Sequence, residues 1–395
     1  MDDTLRALGD LARFRRRLVA TMQDQVVIGI TGSCGKTTVK EMTAAILKRR
    51  WPAGPDYPEG AVLYTRGNLN NLIGMPLSLL PITPRQRAAV LEMGMNAPGE
   101  IHAMALSAEP DICCITNVHG VHLAGLNDLD GVAKAKGELF AASKDSAMLV
   151  VNLDDERVRA LADGIQRKKI TFATVDSGAD MYASEIEAEP GGVITFLLHR
   201  GNETVQIHLY TVGLHNVTNA VTAAAIGAAA GATLAEIAAG LADFRPGDRR
   251  MVQLQTATGL GVLNDTYNAN PASMEAGLKT LAQMGGKRTA ALLGDMLELG
   301  DSSVAAHHQL GRQVAELGVD FLGVVGSFKD KIVSGALEYG MLPDRVKLFE
   351  EKAAAAAWIE SLQESGELTA GDWLLVKASR GLRMETIVER LTGNT

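Results

Sequence analysis

The sequence predicts an α/β protein: a central P-loop domain on a parallel sheet with a small antiparallel β annex, then a smaller Rossmann-like domain. Three observations predict it. Residues 26–38, VVIGITGSCGKTT, pass from an apolar strand through a glycine-bearing turn into a Gly-Lys-Thr-Thr helix start. Apolar runs of strand length then alternate with helical patterns as far as residue 152, the punctuation of a parallel sheet covered on both faces. A second, shorter alternation follows residue 250.

Taken in order, VVIGI supplies the first strand and Lys36 to Arg50 the helix after the turn. AVLEMG (89–94), ICCITNV (112–118) and AMLVVN (147–152) are further strands, with polar or helical segments between them. Residues 170–212 switch to short β runs, and Gly191-Gly192 reads as a hairpin turn between MYASEIEA and VITFLLHR, which gives the annex. The alanine-rich stretch from Asn216 to Gly231 returns to helix. FRPGDRR (244–250) sets Pro246 and Gly247 among charges and marks a domain boundary. Beyond it GVLNDTY (261–267), TAALLGD (289–295), FLGVVG (321–326) and WLLVKA (373–378) are strands separated by helical stretches, the pattern of a smaller doubly wound domain. The alanine run 353–357 reads as helix.

Composition narrows the functional class. A chain of 395 residues that is 47% hydrophobic, 4% aromatic and 21% charged suits two or three soluble domains with a large core. The net charge of -8 excludes a chain-wide electrostatic grip on nucleic acid, and the cluster Arg13, Arg15, Arg16 and Arg17 is too local to reverse it. Cys34, Cys113 and Cys114 have neither zinc spacing nor an even disulfide framework, which fits a reducing cytoplasm. The N-terminus has no apolar signal core, and no run approaches the roughly 18 apolar residues of a membrane helix, so neither nucleic acid nor membrane is an expected partner.

The turn at 32–38 is the chemical centre. Backbone N–H groups freed by the glycines converge on phosphate oxygens, the helix dipole favours negative charge, Lys36 supplies a point charge and Thr37 offers a hydroxyl to Mg²⁺. ATP and Mg²⁺ are therefore expected, with Gly32, Ser33, Gly35, Lys36, Thr37 and Thr38 lining the phosphates. The common pattern has a glycine five positions before Gly35; Ile30 stands there and Gly32 carries the turn, which implies a variant P-loop family. Cys34 is read as a small turn residue or as a thiol bordering the nucleotide.

Other polar groups fall where strands end, the edge at which open α/β sheets bind ligands. Glu92 interrupts an apolar strand, where a carboxylate is costly unless paired or metal-bound; the alternative is a surface-facing strand residue. His119 and His122 follow ICCITNV as metal ligands or as solvated loop residues. Lys134 and Lys136 lie on a helix, where lysines are usually solvated. In the second domain Asp265, Asn268 and Asn270, then Asp295, then Lys377, Ser379 and Arg380 repeat the strand-end placement and form a second polar rim.

The segments TGSCGKTT, TRGNLNNLIGMPLSLL, LEMGMNAPGEI, ITNVHGVHLAGL, GVAKAKGELF, GLHNVTNAVTAA, NDTYNANP, LGDMLELG and VKASRGLRME occur in that order over nearly the whole chain. In them the chain resembles the Mur ligases. NLNN, YNANP and LGDMLELG resemble in particular the branch that joins D-alanyl-D-alanine to a peptidoglycan-precursor peptide. The resemblance implies a carboxylate–amine ligation driven by ATP through an acyl phosphate, with a peptide or other small molecule as substrate. It divides the chain into a linker helix (1–25), a central ATP-binding domain (26–247) and a C-terminal Rossmann-like domain (248–395).

By the same resemblance Lys36 holds the β- and γ-phosphates, Thr37 and Glu92 hold Mg²⁺, and His122 helps bind a second Mg²⁺ near the acceptor. Lys136 matches the lysine this family carbamylates, ahead of Lys134 by its distance from Phe140, which reverses the bare reading of it as solvated. Asn117 falls near the active site, Asn216 and Asn219 resemble adenine contacts and Asp295 a ribose contact. Arg249 and Lys377-Ser379-Arg380, with Asp265, Asn268 and Asn270, resemble parts of the C-terminal domain that close over nucleotide or acceptor. His307 also fits the pattern, without a chemical role.

The family's peptidoglycan branch carries an N-terminal domain that binds the UDP end of the acceptor. Here the phosphate turn begins near residue 31, and DTLRALGDLARFRRRL resembles the linker helix that follows such a domain. A truncated or misbounded copy, a stand-alone ligase with a different, non-UDP acceptor, and a split enzyme whose UDP-binding module is a separate chain all fit. Two further readings are a nucleotide-binding partner subunit, which would have no need of Glu92, His122 and Lys136, and a simple P-loop ATPase or kinase, which would leave the C-terminal motifs idle. Lys36→Ala and Glu92→Ala are each expected to abolish ligation while leaving circular dichroism unchanged; an active Lys36→Ala variant overturns the assignment.

Overall fold

The computed structural model describes residues 3–54, 60–120, 128–189, 192–247 and 249–393. The first sheet contains β1 (Val26–Thr31), β2 (Val62–Tyr64), β3 (Ala88–Glu92), β4 (Ile112–Ile115), β5 (Met148–Asn152), β6 (Lys169–Phe172), β7 (Met181–Glu189), β8 (Val193–Arg200) and β9 (Glu203–Leu209). Its order is β2-β3-β1-β4-β5-β6-β7-β8-β9. Strands β1 to β6 run parallel, and β7, β8 and β9 pair antiparallel. The annex is therefore not a separate neighbour: a single parallel register pair, Phe172↔Met181, joins it to the main sheet. The hairpin tip expected at Gly191-Gly192 begins in residues outside those described.

Both faces of this sheet are covered, so successive strand residues are buried in opposite directions. Ile28, Ile30, Val90, Cys114 and Val150 pack against α2 (Lys36–Arg50), α7 (His215–Ala229) and α8 (Leu234–Asp243). Val27, Leu91, Cys113 and Leu149 pack against α1 (Thr4–Ala20), α3 (Gly74–Leu79), α4 (Glu100–Ala108), α5 (Leu129–Ala142) and α6 (Glu156–Ala162). Cys113 and Cys114 thus behave as small core residues, and burial pushes the Cys113 thiol up to about 12. The arginines of α1 turn inward: Arg13 and Arg17 meet Glu109, Arg16 meets Asp111, and Arg15 donates to the Ile82 carbonyl.

The second sheet has the order β10-β11-β15-β12-β13-β14, with β10 (Val252–Gln255), β11 (Gly261–Asp265), β12 (Thr289–Gly294), β13 (Phe321–Val325), β14 (Val346–Phe349) and β15 (Trp373–Lys377). Only β10 is antiparallel, at the edge. Helices α9 (Pro271–Gln283), α10 (Ser303–Glu316), α11 (Lys329–Glu338), α12 (Lys352–Glu364) and α13 (Glu385–Thr392) flank it. The alanine run lies in α12. Strands β2, β10 and β14 carry no clear apolar run, and the sequence pattern passed over them; all three are short, and β10 and β14 sit at sheet edges where partial exposure removes the periodic signal.

Helices α10 and α11 approach closely because glycines face each other's backbone. A Cβ on Gly311 would collide with the Ile332 carbonyl, and one on Gly335 with the His308 carbonyl. In an exposed helix Gly→Ala stabilises, but here the overpacking term wins. Gly311→Ala is expected to lower the stability of the second domain by about 1–3 kcal/mol in chemical denaturation. An unchanged or raised midpoint would show that the crossing can open.

Candidate active site

Three parallel strands bring the chemistry together. The register Ile30↔Glu92 sets the end of β3 beside the end of β1, and Thr31↔Ile115 does the same for β4. Past Thr31 the chain turns through Gly32 (φ 149°) and Gly35 (φ 80°) into α2. Glycine is needed at both: a Cβ on Gly32 would collide with Thr116 Oγ1, and one on Gly35 with Asn219 Oδ1. The segment after β4 pins the turn. Ser33 N donates to Asn117 O (3.0 Å), Cys34 N to Asn117 Oδ1 (2.8 Å), and Thr116 Oγ1 to Cys34 O (2.7 Å). His119 N donates to Ser33 Oγ at 2.8 Å, which holds this residue by its backbone. His122 lies outside the described residues.

Lys36 folds back on its own loop. Its Nζ donates to Gly32 O (2.7 Å) and Ser33 O (3.3 Å). Burial lowers its pKa from the ordinary lysine value, the charges of Glu92 and Cys34 oppose that, and Arg250 reinforces it. Thr37 is buried and its hydroxyl accepts from Arg250 Nη2 at 3.0 Å; Thr38, beside it on α2, is half-buried.

Glu92 is 1% exposed, which removes the surface-strand alternative. Asn70 Nδ2 donates to its Oε1 at 2.7 Å, and the Lys40 ammonium stands 4.0 Å from Oε2. Oε2 itself is buried with no hydrogen-bond partner. A buried carboxylate oxygen left open beside a phosphate turn and a threonine hydroxyl is a hard oxygen donor set of the kind Mg²⁺ takes, with one or two protein ligands and the rest from phosphate and water. The residues fit the ion. Among the described residues no group of three or more His, Cys, Asp or Glu gathers as an all-protein cage.

Helix α5 starts at Asp128, whose side chain accepts from Gly131 N, and it turns Lys134 outward and Lys136 inward. Lys136 is 2% exposed and has no hydrogen-bond or ion-pair partner among the described residues. Burial holds its pKa well below the ordinary lysine value, and the charge of Lys36 pushes the same way. Burial therefore favours the uncharged amine at this position, within electrostatic reach of Lys36 and Cys34 of the phosphate turn. Asn216 Nδ2 donates to Val212 O (2.8 Å), and Asn219 Nδ2 to Asn216 Oδ1 (2.9 Å), which leaves Asn219 Oδ1 against Gly35.

The second domain reaches this centre at two points. Cys34 Sγ lies 3.4 Å from Asn270 Oδ1, and Arg250, stacked on Tyr267 at 3.7 Å, makes the bond to Thr37. Arg249, expected to close over the nucleotide, points away instead: it pairs with Glu385 at 3.2 Å and Glu389 at 4.0 Å. Positive φ at Arg249 (64°) and Met251 (53°) turns adjacent side chains to opposite sides, and no spacing rule separates two consecutive arginines. The rest of the polar rim is largely self-satisfied. Lys377, 1% exposed, is spent on Asp265 (2.5 Å) from the register-paired strand end and on Asn268 O (2.9 Å). Asn268 Oδ1 accepts from Ala269 N, and Asn270 caps α9. Ser379 Oγ accepts from Leu297 N, and Arg380 pairs with Glu385. Asp295 accepts from Ser327 N (2.7 Å) and Phe328 N (3.0 Å), so its carboxylate ties β12 to the loop after β13. His307 now has a physical role: Nε2 accepts from Met296 N (2.9 Å), Nδ1 donates to Ser303 O (2.6 Å), and the ring stacks on Phe328.

A phosphate turn, a buried carboxylate with one open oxygen, a buried lysine and a second α/β domain that touches the turn define a two-domain P-loop protein. The chain belongs to the Mur ligase family. The model of the Mur ligase middle domain matches residues 30–227, and that of the Mur ligase glutamate ligase domain matches residues 249–380. The UDP-N-acetylmuramoyl-tripeptide–D-alanyl-D-alanine ligase of Escherichia coli K12 is 36% identical over 99% of this chain and 81% of its own length. That of Bacillus subtilis 168 is 35% identical over 99% and 80%. The crystal structure of MurF from Acinetobacter baumannii superposes with a TM-score of 0.88 at 34% identity, over 99% of this chain and 81% of that one. MurF from Thermotoga maritima, solved with ADP, has a TM-score of 0.82 at 24% identity, a likeness of fold.

Burial of Lys136 has a consequence for stability. The folded lysine gives up its proton at lower pH than the unfolded one, so folding is penalised below the ordinary lysine value, and the penalty shrinks as pH rises toward 10.5. In CO₂-free buffer Lys136→Met is expected to raise Tm at pH 7, by an amount that narrows at pH 10. An equal shift at both pH values would show that Lys136 is not held neutral.

Proposed function

We propose that this chain is an ATP-dependent, ADP-forming ligase that joins D-alanyl-D-alanine to UDP-N-acetylmuramoyl-tripeptide, the reaction named for its relatives. The observation that carries this is the 36% identity to such a ligase over 99% of the chain. The open oxygen of Glu92 at the phosphate turn is what the chemistry would need.

The acceptor carboxylate attacks the γ-phosphorus, the bond to the bridging oxygen breaks, and ADP leaves with the electron pair. The amine of the dipeptide then attacks the acyl carbon, and collapse of the tetrahedral adduct expels phosphate as the amine loses its proton. Neither step asks the protein for covalent help; positioning and charge neutralisation dominate. Lys36 exchanges Gly32 O and Ser33 O for the β- and γ-phosphates. Thr37 and Glu92 Oε2 would hold a Mg²⁺ that neutralises charge on the transferring group, and His122 would help bind a second Mg²⁺ near the acceptor. Arg250 is released from Thr37 and is free to meet phosphate. Gly32, Gly35 and Thr38 present backbone N–H groups, while Ser33, whose own N–H is held by Asn117 O, and Asn117 fix their loop. Asn216 and Asn219 lie on the side assigned to adenine. Asp295 meets ribose with the lone pairs that Ser327 and Phe328 leave, and Lys377, Ser379 and Arg380 shape the closing wall.

Lys136, buried and without a hydrogen-bond partner among the described residues, is suited in its uncharged form to add to CO₂: its nitrogen forms the new C–N bond, a proton is released, and the amine becomes a carbamate anion of the kind that would bind Mg²⁺. Three cysteines without disulfide spacing and nucleotide-linked substrates support a cytoplasmic setting for the reaction.

Phosphate release from MgATP by the purified chain is expected only with UDP-N-acetylmuramoyl-tripeptide and D-alanyl-D-alanine both present, together with a product of the summed mass less water. Intact ATP binding without turnover overturns the assigned substrates; rapid release without acceptor overturns the ligase reading.

A further inference from the structure

The carboxylate that the mechanism uses is not free to rotate, and the groups that fix it come from a segment that the proposed chemistry has left without a role. Asn70 belongs to TRGNLNN, between β2 and α3. Its neighbour Asn71 accepts from Ile73 N at 3.1 Å and Gly74 N at 2.8 Å just before α3, which is a structural task. Asn70 does something different. Its carbonyl accepts from Gly94 N at 2.7 Å, and its side-chain amide lies against Gly94, where an added Cβ would sit 3.1 Å from Asn70 Cγ. Held at both ends, the amide donates to Glu92 Oε1 at 2.7 Å.

Two more contacts complete the cradle. Thr65 Oγ1 accepts from Glu92 N at 3.0 Å, while Thr65 O accepts from Lys40 Nζ at 2.8 Å. Lys40 is fully buried on the same helix as Lys36 and Thr37, one turn further on, and its ammonium stands 4.0 Å from Oε2. One oxygen of Glu92 is thus saturated by a neutral donor. The other is kept near a positive charge and otherwise open.

We infer that Asn70 is a positioning residue: by occupying Oε1 it fixes the rotamer of Glu92 and leaves Oε2 alone to face the divalent cation at the phosphate turn. The inference rests on the reading of Glu92 as a Mg²⁺ ligand. A donor that orients a ligating carboxylate typically affects metal affinity or activity by about 10- to 100-fold when removed. The effect belongs to orientation, because Asn70 itself is directed at the oxygen that does not meet the metal.

The isosteric Asn70→Asp variant keeps shape and the packing on Gly94 but exchanges the donor for an acceptor. ADP binding to the full chain, measured calorimetrically with and without Mg²⁺, separates phosphate binding from metal coupling. Asn70→Asp is expected to bind ADP without Mg²⁺ as the unsubstituted chain does, to lose about 10-fold or more of the Mg²⁺-dependent gain, and to lose kcat with little change in KM for D-alanyl-D-alanine. Asn70→Ser, which can still donate, recovers part of the gain and serves as second variant should the aspartate fail to fold. Loss of the gain in Glu92→Gln but not in Asn70→Asp would overturn the positioning role and leave Glu92 in place. Retention in both would overturn the reading of Glu92 and the role with it.

Discussion

A carboxylate taken out of water must be compensated, and Glu92 is compensated on one side only. Burying an ion costs several kcal/mol unless its lone pairs are met. Oε1 is met by Asn70, whereas Oε2 waits beside Lys40 without a hydrogen bond. Much of the central domain follows from holding that charge in place. β3 must lie beside β1 to set Glu92 at the end of the phosphate turn, and α2 must cross above to bring Lys36 and Lys40 to the same side. The loop carrying Thr65 and Asn70 must fold over the strand ends. Lys136 is the complementary case: a base whose pKa is lowered by the same burial that leaves the acid's second oxygen unmet.

The second domain makes sense as the other half of an electrostatic arrangement. In this conformation Arg250 holds the threonine hydroxyl of the turn, and Lys36 rests on loop carbonyls. Both cations are parked on weak neutral acceptors that phosphate oxygens readily replace, since charge-assisted bonds are the stronger. One side chain, Arg250, thus touches both the phosphate turn and the second domain. The left-handed backbone at Arg249 and Met251 keeps that side chain aimed at the turn, while Arg249 anchors the junction to α13.

A good part of the fold was legible in the residues. The main parallel strands, the helix after the turn, the alanine-rich α7 and the second doubly wound sheet all carry strong periodic signals. Strands β2, β10 and β14 did not, because short or edge strands lack the buried alternation that reveals a strand. The antiparallel strands were legible as hairpins, yet their attachment through one register pair to β6 was not. Within the site, Lys36, Thr37 and Glu92 could be proposed from their places at strand ends. Asn70 and Lys40 could not: one looks like a loop asparagine and the other like an ordinary helix lysine.

What the sequence determined by itself was the phosphate turn, because its properties are local: glycine φ angles, consecutive N–H groups and a helix start lie within a dozen residues. The alternation of two doubly wound sheets is likewise written in short-range patterns. Tertiary structure alone decided which polar groups remain available. Lys377 and Asp265 meet because β15 and β11 pair in register, and each removes the other from the rim. Arg250 rather than Arg249 reaches the turn because backbone dihedrals choose the side. Glu92 keeps one open oxygen because Asn70, 22 residues away in sequence, takes the other. Such outcomes depend on distances between segments remote in the chain, which packing sets and no local pattern encodes.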